Sequence, residues 1–225
     1  MAITKDYLPK HKDIIVYQDD EMFRINTDTM VLGESIKLKS TDTVLDMGTN
    51  TGALLLYANM FKPKKMIGLD INEKALELAK KNLDINNVTN YELVHDNIIT
   101  YTSDEVDVII CNPPYFKTEE KVLCDNEYKR LAKHEGELTL ENLIASIRRN
   151  LKNYGTLYFL FLSSRLQEVM NEFKKNKLRI KTLKFIYDLN KEYSNVVLIK
   201  ATKGGNLGMV VEKPIIIDRM SNINQ

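Results

Sequence analysis

With 225 residues, the chain is long enough for one domain with a full core, or a core plus a short appendage; 44% hydrophobic and 28% charged residues are ordinary for a soluble globular protein. No run approaches bilayer length, the amino terminus MAITKDYLPKHKD lacks a signal-type apolar stretch, and Cys111 and Cys124 show neither metal-like spacing nor a CxxC motif, which fits a reducing cytoplasm and no metal. A net charge of +1 gives no whole-chain nucleic-acid signal. Locally, Lys174, Lys175, Lys177, Arg179, Lys181 and Lys184 form a basic stretch of the kind that meets phosphates, and Lys62, Lys64 and Lys65, Arg148 with Arg149, and Lys5, Lys10 and Lys12 form smaller ones.

Residues 1–40 read as an amino-terminal arm, β-rich over 14–18 and 22–25, followed by a helix that begins near Asp28. From residue 41 to 225 short apolar strands alternate with amphipathic helices. Strands are predicted over 43–47, 65–70, 91–95, 106–111 and 156–162. Helices are predicted over 52–61, from the Asn72 cap to about Asn86, through Leu140, Leu143, Ile144, Ile147 and Leu151, and through Leu166, Val169, Met170 and Phe173. On the second of these helices Glu77 and Lys81 stand one turn apart as an ion pair. Gly155 reads as the turn into the fifth strand, and segments 179–187 and 195–202 close the sheet as an antiparallel pair. The pattern describes an α/β fold: a Rossmann-like, doubly wound, mostly parallel seven-stranded sheet with an antiparallel last strand, plus the short β-rich arm and helix packed on it.

The strand 106–111 runs into Asn112-Pro113-Pro114-Tyr115. Each proline fixes its own φ and biases the preceding residue towards extended geometry, so a stiff lip forms at a strand's carboxyl end, where open α/β sheets place ligands. An amide, prolyl carbonyls and an aromatic ring on that lip suit a planar group bearing an NH2. The long polar stretch 116–137 behind it reads as a lid or substrate loop.

Upstream, Asp46-Met47-Gly48-Thr49-Asn50-Thr51-Gly52 is a strand end, a glycine-bearing loop and a helix start. Asp70 ends the next strand, placed to accept from both hydroxyls of a ribose, and Asp96 with Asn97 follows the third, placed to accept from an adenine amino group. Nicotinamide dehydrogenases share the layout, but an acid two residues before the first glycine is unhelpful beside a pyrophosphate. It suits a ligand carrying ammonium and sulfonium charges, and S-adenosylmethionine presents that whole set.

With the lip added, the chain resembles the class I S-adenosylmethionine-dependent amino-methyltransferases, and within them the bacterial tRNA1(Val) (adenine-N(6)) methyltransferase family. The resemblance runs through Phe23 to Gly33, Asp46 to Gly52, Asp70, Asp96, Asn112 to Phe116, Leu131-Ala132-Lys133-His134-Glu135, Asn190 to Asn195 and Lys203-Gly204-Gly205. It implies that Arg24, Thr27, Asp28, Asp46, Gly48, Thr49, Asn50, Gly52, Asp70, Ile71, Asp96, Asn97 and Asn112 contact the cofactor. It further implies that Asn112, Pro113, Pro114 and Tyr115 are catalytic, and that Tyr115 and Phe116 bind the substrate base. Asp28 reads equally as a plain helix cap, and His95 and His134 receive no catalytic role. Many relatives have glycine where this chain has Asn50, which puts cofactor affinity in question. The implied reaction is transfer of a methyl group to an adenine amino nitrogen of a tRNA, next to the anticodon, by a monomer with no metal and no membrane partner. Other readings of the same motifs are methylation of rRNA or DNA adenine, methylation of a release-factor glutamine, a non-catalytic RNA-binding module and a dehydrogenase.

Overall fold

The computed structural model describes residues 3–113 and 138–218. The chain opens with an antiparallel hairpin, β1 (Ile3–Leu8) and β2 (His11–Asp19). Residues 22–25, expected as a strand, are not one. They cross from β2 to α1 (Thr27–Ser35) with Ile25 N bonded to the Gln18 side chain instead of to a sheet partner. Asn26, not Asp28, caps α1, its side-chain oxygen accepting from Thr29 N at 2.9 Å.

The parallel core follows as β3 (Thr43–Met47), α2 (Ala53–Asn59), β4 (Lys65–Asp70), α3 (Glu73–Ile85), β5 (Tyr91–His95) and β6 (Val106–Cys111). After the described residues resume come α4 (Leu140–Asn150), β7 (Leu151–Leu162), a 3-10 turn (Ser163–Arg165), α5 (Leu166–Lys175), β8 (Leu178–Asp188) and β9 (Val196–Lys203). The strand order is β8-β9-β7-β6-β3-β4-β5, with β9 antiparallel to both neighbours and the other pairs parallel. Two short strands that sequence periodicity did not reveal, β10 (Val210–Val211) and β11 (Ile215–Ile217), add to the outer edge of β8.

Both faces of the sheet are covered, so its strands read as continuous apolar runs. Val44, Val108, Ile110, Tyr158 and Leu160 face one layer with α1 and α2, while Leu45, Met47, Ile109, Cys111 and Phe159 face the other with α4 and α5. Phe159 is fully buried, with ring centroids 5.2 Å from Phe161 and 5.8 Å from Phe173. Burial of such a ring contributes roughly 2–3 kcal/mol. Phe159 and Phe161 lie on β7, the strand beside β6, and Phe159 is the register partner of Cys111, the last residue before the lip.

The expected ion pair on α3 is replaced. Lys80 pairs with Asp84 at 2.6 Å, and Lys81 sits 3.7 Å from the centroid of the Tyr17 ring in β2. Met170, expected on the buried stripe of α5, is exposed, while Val169 and Phe173 are buried.

Candidate functional site

Four strand ends share the carboxyl edge of the parallel sheet. Met47 pairs with Cys111 and with Leu69, and Asp70 pairs with His95. Gly48, Asp70, Asp96 and Asn112 therefore sit along one edge, with Gly48 and Asn112 on neighbouring strands. From β3 the chain winds one way to β4 and β5 and the other way to β6 and β7, so this pair flanks the topological switch point.

The loop after β3 is fixed by backbone geometry. Gly48 N and Thr49 N both donate to Leu69 O, at 2.8 and 2.9 Å. Gly48 has φ 81, and a Cβ there would meet nothing closer than Ile98 Cδ1 at 3.9 Å, so backbone conformation requires glycine while the space beside it stays open. At Gly52, φ is 79 and a Cβ would lie 3.2 Å from Ala79 Cβ, so this glycine also lets α2 approach α3. Asn50 takes φ 48, a conformation asparagine tolerates better than most residues.

The acids differ in environment. Asp46 is fully buried; its Oδ2 accepts from Thr49 Oγ1 at 2.7 Å, and its Oδ1 has no partner among the described residues. Burial pushes its pKa up to about 7, against the lowering effect of the Thr49 hydroxyl and with a further push from the Asp70 carboxylate. Asp70 is 8% exposed, and burial raises its pKa as well. Three backbone donors oppose that: Asn72 N at 2.9 Å to Oδ1, Asn50 N at 2.7 Å to Oδ2, and the Ile71 amide. Asp96 is exposed, with Oδ1 accepting from Asn97 N at 2.7 Å, and the Asn97 side-chain oxygen accepts from Ile99 N at 2.8 Å. Ile71 is 40% exposed, and its carbonyl is 2.7 Å from His95 Nε2.

Asn112 is half-buried and Pro113 buried; Pro114, Tyr115, Phe116 and His134 lie outside the described residues. Thr27 is half-buried and Asp28 buried at the start of α1. The segment around Arg24 reaches the loop through its backbone, where Asn50 Nδ2 donates to Phe23 O at 2.5 Å. The Arg24 side chain itself pairs with Asp20 at 2.8 Å on the surface.

Three supporting residues escaped sequence reading. Ser146, Arg149 and Asn150 of α4 hold the chain just beyond Asp96: Ser146 Oγ donates to Ile98 O, Arg149 to the carbonyls of Ile99 and Tyr101, and Asn150 accepts from Ser103 N at 2.7 Å and donates to Tyr101 O. Arg149, grouped by sequence with phosphate-meeting cations, thus bonds to backbone carbonyls. A Ser-x-x-Arg-Asn run on one helix was the available signal.

A buried carboxylate with an orphan oxygen, a second buried carboxylate beside it and an open space over Gly48 fit a ligand that brings positive charge and hydroxyl donors. That is the chemistry of S-adenosylmethionine. Among the described residues no cluster of acidic, histidine or cysteine side chains could hold a metal ion.

Comparison with known proteins points to the same cofactor. A family model described as a methyltransferase domain matches residues 38–200. A Bacteroides thetaiotaomicron protein named tRNA1(Val) (adenine(37)-N6)-methyltransferase is 32% identical over 149 residues, covering 64% of this chain and 62% of its own length. A Cytophaga hutchinsonii protein of the same name is 30% identical over 186 residues, covering 79% and 76%. The crystal structure of M. jannaschii TYW2 in complex with AdoMet superposes with a TM-score of 0.61 at 14% identity, covering 89% of this chain and 84% of that one, which is a likeness of fold. The match spans less than two thirds of the Bacteroides relative. Matched by the domain model over most of its length, and by a relative across three quarters of that relative, the chain belongs to the S-adenosylmethionine-dependent methyltransferases, in the family of the tRNA1(Val) (adenine(37)-N6)-methyltransferases.

Proposed function

We propose that this chain methylates the exocyclic amino nitrogen of an adenine in tRNA, the one beside the anticodon of a valine tRNA. The observation that carries the reading is the position of Asn112 and Pro113, directly after β6 and next to the Gly48 loop at the switch point. The names of the relatives support the choice of tRNA and of adenine.

S-adenosylmethionine, when bound, supplies a methyl group activated by its sulfonium. Asp70 accepts from the ribose hydroxyls, its carboxylate already oriented by the Asn50 and Asn72 amides. An ionised Asp46 would favour the cationic amino-acid end, and Asp96 would accept from the adenine amino group. An adenine amino nitrogen is a weak nucleophile because its lone pair is delocalised into the ring. The Asn112 side-chain oxygen and the Pro113 carbonyl accept its two N–H groups, which pyramidalises the nitrogen, aims the lone pair and stabilises the charge that develops. No strong base is needed, since an alkylated amine is acidic and gives up its proton readily. Tyr115, assigned by sequence position, stacks on the extruded base.

The test is transfer of labelled methyl from S-adenosylmethionine to total RNA of cells lacking the enzyme, followed by nucleoside analysis. Label in N6-methyladenosine of a tRNA is expected. Total DNA and total protein of the same cells serve as parallel acceptors: label in rRNA, in DNA or in protein glutamine would replace the substrate assignment, and absence of transfer to every acceptor would overturn the reading.

A further inference from the structure

Asn50 joins three parts of the molecule. Its backbone N–H donates to Asp70 Oδ2 at 2.7 Å, its own φ of 48 shapes the loop after β3, and its side-chain NH2 donates to Phe23 O at 2.5 Å. The stretch 20–26 that it holds is fixed at its other side by Gln18, whose Oε1 accepts from Ile25 N at 2.8 Å while its Nε2 donates to Asp6 of β1. A second bridge runs nearby: Asn82 Nδ2 donates both to Tyr17 O in β2 and to Thr51 O in the loop. The amino-terminal arm and the cofactor loop are thus joined directly through Asn50 and indirectly through Asn82 of α3.

We propose that Asn50 is a positioning residue that latches the 20–26 crossing onto the Asp70 carboxylate, so that a ligand on Asp70 tightens the crossing and the crossing tightens the ligand. The proposal rests on the reading of Asp70 as the ribose acceptor. A hydroxyl that fixes the carboxylate also fixes the Asn50 amide, and the same residue's side chain then holds Phe23 in place. Such coupling is reciprocal.

Hydrogen exchange at the Met22 and Ile25 amides, bonded to Asp19 O and to Gln18 Oε1, reads the crossing. Calorimetric titration with S-adenosylhomocysteine reads the pocket. Asn50→Gly retains access to positive φ and the backbone donor to Asp70, and removes only the side chain. In the wild type the ligand should slow exchange at both amides. In Asn50→Gly that slowing should disappear and ligand affinity should fall about three- to tenfold, the worth of one hydrogen bond. Asn50→Asp keeps the size of the side chain and its tolerance of positive φ, but at about pH 7 its carboxylate has no proton to donate, so it should resemble the glycine variant. A role limited to backbone shape would leave Asn50→Asp like the wild type in both exchange and affinity. Equal slowing in wild type and Asn50→Gly, or unchanged affinity, would overturn the latch. Failure of the wild type to bind the ligand would instead overturn the cofactor reading.

Discussion

Asp46 carries a charge that its surroundings resist. It is fully buried, one oxygen is unpartnered among the described residues, and Asp70 adds repulsion, so its pKa rises from 3.8 to about 7. An unfolded chain releases this proton near pH 4, whereas the folded protein retains it until about 7. Over that window the folded state binds more protons, so stability falls as pH rises. A cationic ligand favours the ionised form, so its binding should offset the loss. Melting curves of the ligand-free protein should therefore slope downward in Tm between these pH values, and Asn at position 46 (Asp46→Asn) should flatten the slope. Identical slopes in both proteins would remove Asp46 from the account. Asp70 is nearly as buried, yet the backbone amides of Asn72, Asn50 and Ile71 hold it. The acids were legible in sequence because each stands where an apolar strand stops. Their unequal environments were not, because those depend on backbone amides contributed by Asn50 and Asn72.

Asn82 inside α3 and Asn86 at its carboxyl cap act at the scale of whole elements. Asn82 accepts from Tyr17 N at 2.7 Å and donates to Tyr17 O at 3.0 Å; one turn on, Asn86 repeats this at Ile15, at 3.0 and 2.7 Å. The two side chains bind the free edge of β2 much as another strand would, and α3 thereby docks the arm against the sheet domain. Asn82→Ala should lower unfolding free energy on the order of 2–4 kcal/mol in denaturant titration, because buried backbone groups lose partners. A change near zero would mean that water or a shifted β2 replaces the clamp. Periodicity could not reveal this, since mid-helix Asn is read as neutral. Gly155 misled in a different way. It lies inside β7, where β6 residues Val106 and Val108 pair with Leu151 and Thr156. The extra β7 residues bulge, Tyr154 takes φ 64, and a Cβ on Gly155 would lie 3.0 Å from Asp107 O. A glycine demanded by close backbone approach looks in sequence like a turn glycine.

At the scale of the molecule, the seven main strands were legible because apolar runs ended in Gly, Asn or Pro, while β10 and β11 are too short to show a period. The meaning of the basic stretch was not legible, because it depends on strand register. Leu178 pairs with Lys203, whereas Leu183 pairs with Ile199, which is level with Phe159 and Cys111. The start of β8 is thus four rungs, roughly 13 Å, below the lip and towards the opposite edge of the sheet. Within the stretch, Lys175 pairs with Glu172, Lys184 with Glu212, and Lys181 donates to Asn206 O. These three lysines are held by groups of the fold, and the stretch runs from the far edge of the sheet up to Lys184, one residue past the rung of Cys111.

The account depends most on the carboxyl edge of the parallel strands, where Asn112 follows β6 beside the glycine loop that follows β3. Its most direct test is to measure kcat for methyl transfer to tRNA and Kd for S-adenosylhomocysteine in Asn112→Ala. The account predicts that turnover falls by about a thousandfold or more, the scale of losing a preorganised polar contact made in the transition state, while Kd changes by no more than a few fold. Near-normal turnover in that variant would contradict it.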